Sequence, residues 1–245
     1  MGFEQGGTAP DSTTVARALG SLKQNGGNVL VVGTDEESHA SICGRLSGES
    51  ADCARHQLFV RADRSRRAVE SGADRDGVDW VVAYSSGDAD SSTPPSIDCR
   101  LEPAFGDGFD PADQAWQSTS RSAADASFDE LTALGSEIVG AVDEFDGDQG
   151  GVAPAQLRLC VGSLEPLLTD HDAENVFRLL HVVTTRINRT NGMGHYHLPV
   201  DRKHEAVRLL EPLFDAVLEV RTWGGGIEQR WHFRDRNASS SWLPV

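Results

Sequence analysis

Apolar and polar residues alternate in blocks along this chain, and the period inside each block predicts its element. The run Asn28–Gly33 (NVLVVG) is apolar from its second residue to its glycine, as expected of a strand covered on both faces of a parallel sheet. Shorter runs of the same kind predict strands at His56–Arg61, Asp79–Tyr84, Ile97–Leu101, Gln156–Val161 and Gly194–Leu198. Between them the period changes to that of a helix. Leu131, Leu134, Ile138 and Val142 fall on one face of Phe128–Phe145, and Val176, Leu179 or Leu180, Val183 and Ile187 mark a stripe on Ala173–Arg189. Shorter helices are predicted at Val15–Gln24, stopped by Asn25-Gly26-Gly27, at Glu36–Leu46, capped by Thr34 or Asp35, at Ser65–Ser71, and at Arg202–Glu211, cut by Pro212. Asp215–Trp223 alternates like a strand, turns at Gly224-Gly225-Gly226 and pairs back as Ile227–Phe233.

Strands separated by helices and closed by a hairpin predict an α/β domain with a mostly parallel central sheet, whose ligands gather at the carboxyl ends of its strands. Residues 15–233 are expected to form that single domain, between a flexible N-terminus (1–14) and a loose tail (234–245). Residues 103–127 are poor in apolar side chains and are expected to be a flexible acidic insertion, with Trp116 its only large anchor.

Composition adds a physical setting. Asp and Glu number 38 against 22 basic residues, a formal net charge of −16, and only Lys23 and Lys203 are lysines. Surplus carboxylate with so little lysine suits high salt, where screening removes self-repulsion. It also speaks against nucleic acid as a partner, since that contact relies on basic residues. No run is apolar enough to span a membrane or to read as a signal peptide, so a cytoplasmic protein with no membrane partner is expected. The cysteines, Cys43, Cys53, Cys99 and Cys160, are scattered without a C-x-x-C pair and are expected to be small buried hydrophobes.

Two segments carry a resemblance when taken together. The first, NVLVVGTDEESHASICGRL (residues 28–46), has the layout of a phosphate-binding loop: strand, glycine, polar residues, helix. The second is residues 156–221, in the order strand, S-L-x-P-L-L, long helix, G-x-G-H-x-H strand, helix, L-F-D-A-V-x-E-V. Together they resemble the RecA-like P-loop ATPase superfamily, in its KaiC-like branch, and particularly KaiC-like domains of halophilic archaea with degenerate Walker motifs. The resemblance covers about three quarters of the chain and implies a three-layer RecA-like α/β fold.

It also implies where a nucleotide would bind, and there the chemistry fails. A P-loop needs backbone amides around the phosphates, a lysine on the β and γ phosphates, and a Ser/Thr hydroxyl on Mg²⁺. Gly33 matches the first glycine, but Ser38 stands for the last glycine, His39 for the lysine and Ala40 for the hydroxyl. Thr34 is followed by Asp35, Glu36 and Glu37, three carboxylates where a triphosphate would sit. Gly162 occupies the place of the Walker B aspartate, and Asp63 alone remains near the place of the catalytic glutamate. Gly33–Ala40 and Gly162 thus form a vestigial nucleotide site with no catalytic residue and no metal. The expected role is non-catalytic, regulatory or scaffolding, without a cofactor and acting through a protein partner or self-association. The alternative is an ATPase-like signalling domain that still binds ATP weakly at a remodelled site.

Other constellations are weaker. His195 and His197 share one face of a predicted strand, with His204 nearby, and three imidazoles can hold zinc or nickel. No cysteine or carboxylate is placed by spacing to complete such a site, so no metal is assigned and the pair is expected on a crevice rim. His181 is expected to pack mid-helix. Ser163, a histidine and Asp170 could be drawn as a triad, but SLEPL lacks the nucleophile elbow.

Overall fold

The apolar run that opens the domain lies deep inside the sheet. In a computed structural model, which describes residues 12–48, 55–63, 80–85, 96–101, 123–148, 153–234 and 238–245, β1 (Gly27–Val32) is buried at every position. It pairs in parallel with β6 (Met193–Leu198) on one side and β7 (Ala216–Trp223) on the other. Beyond β6 the parallel array continues through β5 (Leu157–Val161), β2 (His56–Asp63) and β3 (Trp80–Ser85). Then β4 (Ser96–Leu101) closes that edge in the antiparallel sense. At the other edge β8 (Gly226–Phe233) folds back on β7 through the Gly224-Gly225 turn. Both glycines have positive φ, the backbone that favours glycine. The sheet is therefore mixed, with six parallel strands framed by antiparallel ones. Where a loose tail was expected, β9 (Ala238–Ser239) and β10 (Leu243–Pro244) pair with β8, giving the order β10-β8-β7-β1-β6-β5-β2-β3-β4 with β9 beside β8.

Period-two alternation divides the core between the two faces of this sheet. Leu30 and Val32 of β1, with Tyr196 and Leu198 of β6, point to the face covered by α3 (Ala123–Asp148) and α5 (Ala173–Arg189). Leu134, Ile138 and Val142 meet Val176, Val183 and Ile187 there, the two stripes predicted from period. The short helices α4 (Glu165–Asp170) and α6 (Glu205–Leu210) add Leu167, Val207 and Leu210 to that core. Val29 and Val31 point the other way, onto α1 (Ser12–Asn25) and α2 (Glu36–Ser47), against Val15, Ala18, Leu22 and Ile42. Helices on both faces of one sheet make a three-layer α/β domain. Fully burying a side chain such as Ile187 contributes about 1.5–3 kcal/mol, and that repeated gain pays for the ordering of the chain.

Several boundaries move for local reasons. α3 begins at Ala123, five residues before Phe128, because the preceding Ala-rich turn propagates a helix well. α6 begins only at Glu205, where the His204 imidazole accepts from Ala206 N–H, and Pro212 falls in a 3-10 turn after it. His181 is on the exposed side of α5 rather than packed, since the buried stripe passes through Leu180 and Val183 instead. At the amino end of the sheet Asn28 is fully buried. It bonds Thr184 O and Asn188 Oδ1, and it accepts from Tyr196 Oη at 2.9 Å. The expected helix Ser65–Ser71, Trp116 and most of the acidic insertion lie outside the described residues. Among the described residues no helix is long and apolar enough to cross a membrane.

Candidate functional site

The carboxyl end of β1 delivers the chain into the expected phosphate loop, and its geometry is tight. Gly33 has φ +150°, and a Cβ there would fall 2.4 Å from Val220 O of β7, so the position requires glycine. Its N–H bonds Val200 O at 3.0 Å. Thr34, Glu36 and Glu37 are exposed, whereas Asp35 turns onto the helix that follows. Asp35 is the N-cap of α2: its Oδ2 accepts from Ser38 N–H at 2.9 Å, from Ser38 Oγ at 2.5 Å and from Thr222 Oγ1 at 2.8 Å. These bonds, led by the Ser38 hydroxyl and then Thr222, hold its carboxyl below the usual carboxylate range. Between the choices left by sequence, Asp35 rather than Thr34 is the cap. The helix end that would attract a phosphate is already satisfied by the chain's own anion.

The residue in the lysine place points inward. His39 is buried, its Nε2 lies 2.8 Å from Gly33 O, and its Nδ1 lies 2.9 Å from Nδ1 of His197. Ala40, in the place of the magnesium hydroxyl, faces outward on α2. Gly162, in the place of the Walker B aspartate, is exposed just after β5, with its N–H on Val60 O. Asp63 ends β2 opposite Ser85.

Beneath α2 the fold assembles a cluster that spacing alone did not reveal. His195 and His197, two residues apart on β6, point to the same face as Val29 and Val31, their register partners on β1. Cys160 is the register partner of His195 on β5, and Cys43 descends from α2 one turn after His39. Their ligand atoms all lie within 4.8 Å of one another, and all four residues are buried. His195 is 0 % exposed and His197 2 %, so the pair belongs to the interior and not to a crevice rim, because β6 is a central strand roofed by α2. The Sγ atoms of Cys43 and Cys160 are 3.1 Å apart, and no disulfide joins them. Cys43 and Cys160, far apart in sequence, are buried as expected but are also brought together by the crossing of α2 over β5 and β6. His204, capping α6, stands outside the cluster.

The electrostatics of the cluster follow from burial and contact. The Cys160 sulfur first, and then His195 and His197, hold the Cys43 thiol far below the usual thiol range against the effect of burial. Burial pushes His197 down to about 4 and lowers His39 as well, so both rings are neutral near pH 7. With His39 Nε2–H donating to the Gly33 carbonyl, His39 Nδ1 must accept, and His197 Nδ1–H donates to it. The remaining lone pair, on His197 Nε2, is buried and makes no hydrogen bond of normal length, nor does either nitrogen of His195; their polar contact is with the Cys43 sulfur.

A family model described as a family of unknown function, DUF7504, matches residues 26–220. The chain belongs to the DUF7504 family. The match runs from the residue before β1 into β7, so it takes in the loop, α2 and all four cluster residues. No curated protein matches the chain. In this DUF7504 chain the drawn triad is not assembled: Ser163 Oγ accepts from Glu165 N–H at the start of α4, and Asp170 is exposed. A separate buried pair is present instead, Tyr84 Oη at 2.5 Å from His171 Nε2 between β3 and the end of α4. The tail of α4 in the sequence offered no period or motif to point to it.

Proposed function

We propose that this DUF7504 chain is a non-catalytic, RecA/KaiC-like module of a salt-adapted protein, regulatory or scaffolding in role. Its nucleotide loop has become a closed structural turn. The observation that carries this reading is the Asp35 carboxylate seated on the amino end of α2, where a phosphate would otherwise be bound. A bound triphosphate would have to displace that carboxylate, lie beside Glu36 and Glu37, and do without a lysine or a magnesium ligand. His39 is committed to Gly33 O and His197 and supplies no positive charge in its neutral state. The parallel strand array with the loop at the carboxyl end of an interior strand supports the RecA-like ancestry of the frame.

Calorimetric titration with Mg-ATP in molar KCl tests the reading. No saturable heat is expected up to millimolar nucleotide; a Kd tighter than about 1 mM, roughly −4 kcal/mol, would favour the remodelled ATP-binding alternative. A module without catalysis acts through contacts, so self-association or capture of a related domain belongs to the same proposal. Light scattering in the same buffer is expected to show a species larger than the monomer, alone or with that partner. A strict monomer that captures nothing would remove the scaffold role.

A further inference from the structure

The cluster beneath α2 has a property that packing does not explain. His195 is completely buried with neither ring nitrogen in a hydrogen bond of normal length, and His197 Nε2 is in the same state beside it, the polar contact of both rings being the Cys43 sulfur. Buried polar atoms are almost always satisfied, and leaving one unpaired costs about 1–3 kcal/mol. Here three such atoms occur together, next to two cysteine sulfurs, with all the candidate donor atoms within 4.8 Å. We infer that Cys43, Cys160, His195 and His197 form a closed, four-coordinate site for a single zinc ion.

The chemistry of the donor set selects the ion. A tetrahedral zinc with sulfur at about 2.3 Å and nitrogen at about 2.0–2.1 Å sets its donors roughly 3.3–3.8 Å apart, inside the span of this cluster. The sulfurs, 3.1 Å apart, need separate by only about 0.7 Å to accept it. Two thiolates and two neutral imidazoles carry two negative charges, which one divalent ion cancels; a monovalent copper ion would leave a buried charge uncompensated. A two-iron cluster of the mixed type places its histidine and cysteine pairs on different irons, whereas here Cys160 and His195 sit side by side on neighbouring strands. Four protein donors and no open position make this a structural centre rather than a hydrolytic one.

For His197 the second layer is present too, whereas the second ring nitrogen of His195 has no such acceptor. Metal-bound histidines characteristically donate their other N–H to a fixed acceptor. His197 Nδ1–H is given to His39 Nδ1, and His39 Nε2–H is given in turn to Gly33 O. The ion therefore fixes the His197 tautomer and, through His39, the carbonyl of the loop glycine. Zinc staples α2 to β5 and β6 and holds the closed phosphate loop from beneath. The site goes beyond the non-catalytic reading and stands whether or not that reading holds, because none of its four ligands belongs to the nucleotide loop.

Elemental analysis of untagged protein, grown with zinc and purified reduced in molar KCl, is expected to find about one zinc per chain. Cobalt(II) added to the stripped, reduced chain is expected to give the visible absorption of a tetrahedral thiolate-bound ion. His204→Gln keeps both signals, while Cys160→Ser and His195→Gln lose them. Since a ligand variant that does not fold would also lose them, the wild-type chain decides the matter. A reduced wild-type chain that is folded by circular dichroism yet takes up neither zinc nor cobalt overturns the proposal. So does stoichiometric copper or iron in place of zinc, or a Cys43–Cys160 disulfide in protein isolated under reducing conditions.

Discussion

Tyr84 and His171 show how a residue pair far apart in sequence sets a pH dependence. Burial holds His171 below its ordinary value, with Asp170 and Asp172 working weakly the other way. Burial first, then Glu130 and Asp170, pushes the Tyr84 phenol up. The unfolded chain therefore binds a proton at His171 before the folded chain does. That contribution to stability is complete above the ordinary histidine value of about 6.5 and is lost as pH falls beneath it. For Tyr84 the sign reverses: its contribution is complete below about 10 and is lost as pH rises further. Urea unfolding in molar KCl is expected to show wild type losing more stability between pH 7 and pH 5 than His171→Gln does, and equal slopes would refute the assignment. Tyr84→Phe, which removes the hydroxyl from a buried hydrogen bond, is expected to cost about 1–3 kcal/mol at pH 7.

At the scale of elements, α2 and the turn before it carry most of the distinctive physics. The turn is possible only because Gly33 adopts a positive φ against β7. Gly33→Ala should lose about 1–3 kcal/mol for the backbone conformation alone, and the contact of its Cβ with Val220 O adds to that. A denaturation midpoint that stays in place would mean the turn is not seated on β7 as described. Much of this element was legible beforehand. The run NVLVV, its glycine and the acidic turn predicted a strand, a loop and a helix whose bounds fall within a residue of Gly27–Val32 and Glu36–Ser47. The periodicity of Ala173–Arg189 gave both ends of α5, because its one-sided apolar stripe runs the length of the helix and stops before Asn191-Gly192. The cluster was only half legible. His195 and His197 share a face by strand alternation, and His39 and Cys43 share one by helical spacing. Which two faces meet depends on how α2 crosses the sheet, and register alone places Cys160 beside His195. Local period carries neither quantity, since both are set by long-range packing. The burial of the histidines was missed for the same reason: alternation reports a shared face but not what covers it.

At the scale of the whole molecule, the net charge of −16 competes with the ion pairs that the fold has made. Arg186 on α5 reaches both Asp143 and Asp146 on α3, Arg202 pairs with Glu211, and Arg221 pairs with Glu228 across the hairpin. Most of these pairs are partly exposed, and exposed pairs contribute only about 0–1 kcal/mol each and weaken with salt. Self-repulsion of the surplus carboxylates acts the other way and is relieved by the same salt, since the Debye length shrinks to about 3 Å at 1 M. With 38 acidic residues against 22 basic ones, the surplus behind the net charge of −16 has no cation to pair with however the pairs are drawn, so relief of repulsion is the larger effect. Circular dichroism is therefore expected to show a lower thermal midpoint and reduced helical signal in dilute buffer, both rising and then levelling as KCl approaches molar concentration. If surface pairs dominated instead, the midpoint would fall over the same range. An unchanged spectrum and midpoint from dilute to molar KCl would rule out salt adaptation as the reason for this composition.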